Sequence, residues 1–316
     1  SDRLPDDFRT PRDNRPLRGL RFHRSTTFGQ RRNFEKDQHS PPHLSGGGAG
    51  IAQVCAQSGS QVVLQDITDE FVSKGLQRVS AFLQKGVDRG KVTEETRDQV
   101  LARIVTTTDR AEAAREADLV VEAVPEKLEL KNGLFRELAE VVSEACVLGS
   151  NTSSLSLAKV FDGVSNPGRC IGMHFFNPVP LMKLLELVRT DATSASTIDA
   201  VTAYAKDLGK EPILVKDSPG FASSRLGVCL GLEAIRMFES GVASAEDIDK
   251  AMVLGYGHPM GPLKLTDLVG LDVRLAIADY LRTELDLAGF EAPELMRKMV
   301  ADGKLGKKSG QGFYSW

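Results

Sequence analysis

Two hydrophobic periodicities alternate along most of the chain. From Gly46 to about Asp217, short continuous apolar runs alternate with segments whose apolar residues recur three and four positions apart. Continuous runs bounded by turn residues are typical of strands buried on both faces, whereas the longer spacing is typical of amphipathic helices. The predicted strands are "SQVVLQD", "ADLVVEAV", "CVLGSN", "RCIGMHFF", "LLELVRT" and "EPILVKD". This alternation of strands and helices predicts a doubly wound parallel sheet.

Helices are predicted between these strands and throughout the C-terminal part. The intervening helices fall at about 50–58, 69–86, 93–104, 130–142, 155–161 and 196–208. Strand patterns stop after Asp217, and the later helices are predicted at 222–240, 244–254, 262–285 and 292–302. Ser244 and Asp247 form a capping box at the start of one of them. We therefore expect an α/β domain over 46–216 and an all-helical domain over 217–316.

The first 45 residues follow neither periodicity. They contain no Val, Ile or Ala, but they hold five Pro and three of the five His of the chain. Neither a helix nor a strand is predicted there. We expect residues 1–45 to be an irregular, disordered or non-native segment.

Net charge differs between this segment and the rest. Residues 1–45 carry nine Arg and one Lys against six acidic residues, about +4, so a chain with a net charge of -3 has about -7 in its remainder. Because these Arg residues alternate with Asp and Pro, nucleic-acid binding is disfavoured. The sequence has no apolar run of 18 residues and no apolar signal core, so neither a membrane span nor a secretory signal is predicted.

Cysteine usage points to a reducing compartment. None of the four cysteines lies at metal-ligand spacing, and each has apolar neighbours. We expect buried free thiols and a cytoplasmic location. The cysteines are Cys55, Cys146, Cys170 and Cys229.

The stretch "HLSGGGAGIAQVCAQ" resembles the second half of a dinucleotide-binding turn. Counting back from Gly50 places the third fingerprint glycine on Gly48, whereas His43 and Ser45 occupy the first two positions. The fingerprint is incomplete, and taken alone this stretch would be interpreted as a flexible loop. However, Asp66 closes a predicted strand 18 residues after Gly48, where such folds keep a carboxylate for ribose hydroxyls. A carboxylate repels a 2′-phosphate, so a Rossmann-like domain that binds NAD rather than NADP is predicted.

His174 and Glu186 are the candidate proton-transfer pair. His174 lies at a predicted strand end before a turn that contains proline, where α/β active sites open, and its imidazole titrates near neutrality. Glu186 interrupts the apolar run "LLELV" on the next predicted strand. A carboxylate bonded to one ring nitrogen would fix the tautomer and stabilise the imidazolium. A histidine packed in the core and an edge-strand charge are the alternative interpretations.

At "MHFFNPVPLMKLLELV" the sequence resembles the L-3-hydroxyacyl-CoA dehydrogenase family, and more closely its short-chain 3-hydroxybutyryl-CoA members. The motifs "VVEAVPE", "GSNTSSL", "DSPGF", "EDIDKAM", "HPMGPLKLTDLVGLD" and "GKKSGQGFY" match in the same order. The resemblance covers about 48–316 and none of 1–44. It implies NAD-dependent oxidation of (S)-3-hydroxyacyl-CoA to 3-oxoacyl-CoA, in fatty acid or butanoate metabolism, by a homodimer.

The resemblance also implies roles for single residues. His174 is the base, Glu186 its partner, and Ser153 a hydrogen-bond partner of the substrate oxygen. Asn177 holds nicotinamide and substrate in register. Further cofactor contacts are implied for Glu126, Lys131 and Lys308. The family binds coenzyme A near the helices after Asp66, whose basic residues are Lys74, Arg78, Lys85, Arg89 and Lys91.

Two features depart from the family pattern. Ser224 stands where the family has an Asn that reaches the substrate, so a shorter hydroxyl replaces an amide. Residues 1–44 replace a Val/Ile-rich first strand, and we interpret them as non-native sequence, with a natural extension as the alternative. Losing a central strand would remove about 7–15 kcal/mol of apolar burial, which rivals the stability of a domain. We therefore expect a poorly folded first domain and weak NAD binding.

Three functions remain open from the sequence. The first is the acyl-CoA dehydrogenase activity just described. The second is a related dehydrogenase of free hydroxy acids or sugar acids, and the third is a cofactor-deficient, non-catalytic homologue. Apolar faces on "LGVCLGLEAIRMF" and "LTDLVGLDVRLAIADYL" exceed what one small bundle needs, which favours a homodimer.

Overall fold

The computed structural model describes residues 24–29 and 47–316. Its described residues form one mixed sheet followed by a helical domain, which confirms the predicted fold class. The strands are β1 (Arg24–Gly29), β2 (Gln61–Asp66), β3 (Ile104–Thr107), β4 (Leu119–Glu122), β5 (Val147–Ser150), β6 (Cys170–Phe175), β7 (Leu184–Arg189) and β8 (Glu211–Lys216).

The strands lie in the order β3-β2-β1-β4-β5-β6-β7-β8. The first six run parallel, but β7 is antiparallel to β6 and β8 is parallel to β7. The prediction of a purely parallel sheet is therefore wrong for the last two strands. A short turn without a crossover helix joins β6 to β7, and such a connection requires antiparallel pairing.

Strand β1 corrects the expectation that residues 1–45 contain no strand. Arg24–Gly29 lies at the centre of the sheet, with Thr26 in register with Val63 of β2 and Val120 of β4. A central strand is held by backbone hydrogen bonds on both sides, so it does not need a Val/Ile-rich sequence to pair. Thr and Phe also favour extended backbone. The first strand is thus replaced by "RSTTFG" rather than missing, and the rest of residues 1–45 lies outside the described residues.

Helices cover both faces of the sheet, so alternate residues of one strand enter two different cores. On β4, Leu119 and Val121 pack with α1, α2 and α7, whereas Val120 packs against the face covered by α5 and α6. This explains why the strand has a continuous apolar sequence. The helices of this domain are α1 (Gly47–Gln57), α2 (Asp69–Asp88), α3 (Glu94–Ala102), α4 (Arg110–Ala114), α5 (Leu128–Ala139), α6 (Leu157–Val160) and α7 (Ala195–Asp207).

The helical domain has its own core, centred on Leu232, Ile235, Leu263 and Leu281. Its helices are α8 (Ser223–Glu239), α9 (Ala245–Gly255), α10 (Pro262–Val269), α11 (Leu271–Leu285) and α12 (Glu294–Ala301). Among the described residues, no helix is long and apolar enough to cross a bilayer.

Three local predictions were wrong. The helix predicted over 93–104 ends at Ala102, because the β-branched segment Ile104–Thr107 forms β3. The helix predicted over 262–285 is divided at Gly270, whose φ of 108° is left-handed and favours glycine. Cys229 is exposed on α8, although the other three cysteines are buried free thiols as expected.

Candidate active site

The carboxyl ends of three neighbouring parallel strands carry polar residues, among them the predicted base His174. Glu122 ends β4, Ser150 ends β5, and His174 is the penultimate residue of β6. These strands pair directly, so the ends of β4, β5 and β6 form one edge of the sheet. Such an edge is where ligands bind in α/β folds.

His174 and Glu186 are in direct contact. They lie opposite each other in the β6–β7 ladder, and His174 Nδ1 is 2.7 Å from Glu186 Oε2. Directly opposed residues of an antiparallel pair have side chains on the same face. Glu186 is completely buried and His174 is only 7% exposed.

Glu186 is held by the first turn of α8 as well as by His174. Its Oε1 accepts from the backbone N–H groups of Ala222 (3.2 Å) and Ser223 (2.9 Å), and its Oε2 accepts from Ser223 Oγ (2.7 Å). Burial by itself would raise the pKa of Glu186, but the hydrogen bonds from His174 and Ser223 outweigh it, and the pKa is lowered. The carboxylate is therefore ionised at neutral pH.

Two aromatic rings enclose the imidazole of His174. The ring centroid of Phe176 lies 4.5 Å from that of His174, and the centroid of Phe221 lies 5.9 Å away. Since Nδ1 is engaged by Glu186, Nε2 is the ring nitrogen left for a reacting group. The arrangement suits a general base whose tautomer is fixed by a carboxylate.

Glu126 accepts hydrogen bonds from the loop that follows β5. Its Oε1 accepts from Thr152 Oγ1 (2.6 Å) and from the backbone N–H groups of Ser153 (3.0 Å) and Ser154 (3.3 Å). Burial would raise the pKa of Glu126, but Lys131 and Thr152 outweigh it and lower that pKa. Glu126 is therefore charged. Its side chain is 36% exposed at the edge of the site, with Ser153 beside it.

Lys131 lies beneath this loop rather than on the surface. It is 1% exposed, and its Nζ donates to Glu122 Oε1 (2.6 Å) and the carbonyl of Val124 (3.1 Å), and is 3.3 Å from Glu126 Oε2. Burial would lower the pKa of Lys131, but Glu122 and Glu126 together raise it, so the ammonium stays charged. Because it is buried, Lys131 interacts with the carboxylate of Glu126 and lowers its pKa, rather than facing solvent.

Glu122 and Ser223 were not singled out from the sequence. Glu122 is completely buried, and its Oε2 accepts from Ser150 Oγ at 2.6 Å. A signal for it exists, since an acidic residue interrupts the apolar run "ADLVVEAV" in the way that Glu186 interrupts "LLELV". Ser223 has no comparable signal, because a serine at a helix start is common.

Asn177 lies in the exposed turn between β6 and β7. The turn packs closely on α1 at Gly50, where an added Cβ would lie only 2.9 Å from Val179 Cβ. Lys210 Nζ donates to the carbonyl of Met182 (2.8 Å) and holds the turn from the other side. A pocket of about 240 Å³ lies between this turn, α1 and α2, lined in part by Gly50, Gln53, Arg78, Phe82 and Asn177.

Two predicted residues have contacts that the sequence did not indicate. Ser224 Oγ donates to the backbone carbonyl of Ser153 at 3.3 Å, so it contacts the loop that carries Ser153. Lys308 forms an ion pair with Asp272 at the start of α11, inside the helical domain. Contacts of these two residues with substrate or cofactor stay predictions.

The residues at the carboxyl end of β2 and at the start of α1 fit a dinucleotide. Asp66 ends β2 in register with Gly29, the last residue of β1, and is only half-buried. Gly48 is buried in the first turn of α1. A half-exposed carboxylate at this strand end is suited to ribose hydroxyls, and neither Ile67 nor Thr68 offers a positive charge to a 2′-phosphate.

This fold and this site define the class of two-domain, NAD-dependent dehydrogenases. A family model described as 3-hydroxyacyl-CoA dehydrogenase, NAD binding domain, matches residues 47–218, and the model of the C-terminal domain of the same family matches residues 220–316. The chain therefore belongs to the 3-hydroxyacyl-CoA dehydrogenase family.

Individual relatives agree with this assignment. Probable 3-hydroxybutyryl-CoA dehydrogenase of Deinococcus radiodurans is 45% identical over 269 residues, which cover 85% of this chain and 96% of that protein. The mitochondrial hydroxyacyl-coenzyme A dehydrogenase of Sus scrofa is 43% identical over 276 residues, 85% of this chain and 88% of that protein. The crystal structure of (S)-3-hydroxybutyryl-CoA dehydrogenase from Ralstonia eutropha superposes with a TM-score of 0.85 at 40% identity, covering 94% of this chain and 99% of that one.

Changing Asp66 to asparagine should weaken discrimination between NADH and NADPH. A charged hydrogen bond is worth about 1.5–3 kcal/mol, so the Kd for NADH should rise about tenfold or more, whereas NADPH loses a repulsion and should bind no more weakly. Fluorescence titration with both cofactors measures the two constants. Asp88→Asn, at the far end of α2, is the control. Equal weakening of NADH and NADPH by Asp66→Asn would contradict the role of this carboxylate.

Proposed function

We propose that the chain interconverts (S)-3-hydroxyacyl-CoA and 3-oxoacyl-CoA with a preference for the short 3-hydroxybutyryl chain, and that His174 is its general base. The contact between His174 and Glu186 at the end of β6 is the observation that carries this proposal. NAD supplies the chemistry of hydride transfer. His174 Nε2 takes the proton of the substrate hydroxyl, and the carboxylate of Glu186 stabilises the imidazolium that forms.

Ser153 and Asn177 are proposed to orient the reacting group. Ser153 is fixed through its backbone N–H by Glu126 and through its carbonyl by Ser224, and its hydroxyl lies 3.4 Å from Glu126 Oε1 in the loop after β5. Asn177 lies in the turn that follows the strand of His174. We infer that Ser153 donates to the substrate oxygen and that Asn177 lies between substrate and nicotinamide. Glu126 and Lys308 are proposed to contact the cofactor, with Lys131 supporting Glu126 from below.

The pocket beside α2 supports a coenzyme A substrate over a free hydroxy acid. Among the basic residues of α2 and α3, Arg78 is the one that lines this pocket, together with Asn177 and apolar Phe82. An arginine suits a phosphate group, and the apolar wall suits the chain that joins the phosphates to the acyl group. We propose that the acyl-CoA enters between α2 and the turn of Asn177.

Changing Arg78 to methionine should raise the KM for acetoacetyl-CoA about tenfold and leave kcat nearly unchanged. The reason is that the contact of Arg78 with the phosphate is equally strong in the ground state and in the transition state. The effect should shrink at high ionic strength. NADH-linked reduction of acetoacetyl-CoA and of free acetoacetate measures both the effect and the substrate class. Lys298→Met removes an exposed charge from α12 and is the control. Equal activity on free acetoacetate would instead favour the hydroxy-acid or sugar-acid alternative.

A cofactor-deficient homologue is the second candidate, and one observation favours it. Strand β1 ends at Gly29 and α1 begins at Gly47, whereas a G-x-G-x-x-G turn joins strand and helix directly. Weak NAD binding therefore stays a prediction. The wild-type titration described for Asp66 tests it, since micromolar affinity for NADH would exclude this candidate.

A homodimer formed through the helical domain is also proposed. Leu226 on α8 and Leu254 on α9 are 71% and 81% exposed, and Tyr256 follows at 79%. Large apolar side chains exposed in one domain are typical of an interface. The four free cysteines support a reducing, cytoplasmic location as part of the proposal.

A further inference from the structure

The hydroxyl of Ser223 and the imidazole of His174 contact the same carboxylate oxygen, Glu186 Oε2. Ser223 Oγ donates to Glu186 Oε2 at 2.7 Å, and His174 Nδ1 is 2.7 Å from the same oxygen. The other oxygen, Oε1, accepts from two backbone N–H groups of the same segment. All four contacts thus converge on one buried carboxylate.

The capping of α8 does not require this hydroxyl. The N-cap residue of α8 is Ala222, which has no capping side chain, and the first amides of the helix are satisfied by Glu186 instead. Phe221 precedes this turn with φ of 51°, a conformation that bulky residues rarely adopt. The backbone is therefore shaped to direct the first turn of α8 at Glu186, and the hydroxyl of Ser223 is an additional contact.

We propose that Ser223 is a positioning residue of the reaction, which holds Glu186 Oε2 in the orientation that serves His174. The two amides hold Oε1, but Oε2 keeps some freedom to move by rotation about the Cγ–Cδ bond when His174 is its single partner. A hydroxyl on Oε2 removes this freedom. Because Ser223 belongs to the first helix of the helical domain, it also links that domain to the proton-transfer pair of the sheet.

The shared oxygen has a second consequence, for the pH dependence of the reaction. From β6, Glu186 is faced by the imidazole of His174, from α8 by neutral Ala222 and Ser223, and from β8 by Ile213, its apolar register partner. The hydrogen bond from Ser223 is among the contacts that lower the pKa of Glu186 against the effect of burial. Without that hydroxyl the pKa of Glu186 rises, so the ionised carboxylate is lost at a higher pH as the solution is acidified.

Ser223→Ala tests this inference, which rests on the proposed role of His174. We expect kcat for the oxidation of 3-hydroxybutyryl-CoA to fall about tenfold, as for the loss of a hydrogen bond to a charged group, with KM nearly unchanged. The acid limb of the pH–rate profile should move to higher pH, because the pKa of Glu186 rises. Ser223→Thr keeps the hydroxyl and should restore both values.

A matched control separates positioning from stability. Ser244→Ala removes the hydroxyl that caps α9, so it should lower the melting temperature and leave the pH–rate profile in place. An unchanged acid limb in Ser223→Ala, or no rescue by threonine, would overturn the inference.

The His174→Asn background distinguishes failure of the inference from failure of the proposed function. If Ser223 acts through the pair, Ser223→Ala should have little further effect on kcat there. An equal loss in both backgrounds would overturn the positioning role alone. Full activity of His174→Asn by itself would instead overturn the proposed role of His174.

Discussion

Replacing His174 with asparagine is expected to lower kcat for the reduction of acetoacetyl-CoA by about 10²–10⁴-fold, the usual contribution of general acid–base catalysis. Asparagine can still donate a hydrogen bond to Glu186, so the buried carboxylate keeps a partner. It cannot accept and return a proton, however, and this is the function assigned to Nε2. Steady-state rates with NADH at saturating acetoacetyl-CoA measure the effect.

Binding should survive this substitution. Three strands separate β2, which carries Asp66, from β6, and His174 does not line the pocket of Arg78, so the Kd for NADH and the KM for acetoacetyl-CoA should change little. His258→Asn in the helical domain is the matched control and should keep wild-type rates. A residual kcat within a few-fold of wild type, with an intact melting transition, would show that another group transfers the proton.

The His174–Glu186 pair could be predicted because each residue left a local signal. An ionisable residue inside an apolar strand pattern is expensive to bury unless it is paired. Glu186 gave this signal within β7, and the short turn after β6 implied that the two strands are neighbours. The same reasoning would have identified Glu122 in β4, whose partner Lys131 was implied by the family resemblance as a contact of the cofactor.

The partners that hold the site could not be predicted, because their contacts depend on how distant segments pack. Ser223 reaches Glu186 across 37 positions of sequence, and Ser224 reaches Ser153 across 71. A serine at a helix start has the same local pattern whether it faces solvent or a buried carboxylate. Strand β1 was missed for a related reason, since its pairing comes from the backbone of β2 and β4 and not from its own apolar content.

Replacing Lys131 with methionine should lower the free energy of unfolding by about 3–5 kcal/mol, the usual cost of removing one partner of a buried ion pair. Glu122 is completely buried, and among the described residues its charge is then held by Ser150 Oγ and the N–H of Val124. Chemical denaturation measures the loss. NADH affinity should fall as well, because Glu126 loses the ammonium that lies 3.3 Å from it and the Ser153 loop loses its anchor.

The double variant Glu122→Gln/Lys131→Met decides whether the loss comes from an uncompensated charge. Removing both charges leaves no buried ion, so most of the stability should return, since a neutral pair of similar volume often matches a buried ion pair. NADH affinity should not return with it, because Glu126 still lacks Lys131. The exposed Lys298→Met control should lose only a small fraction of the stability. If the double variant is as unstable as Lys131→Met alone, an unpaired charge on Glu122 is not the cause of the loss.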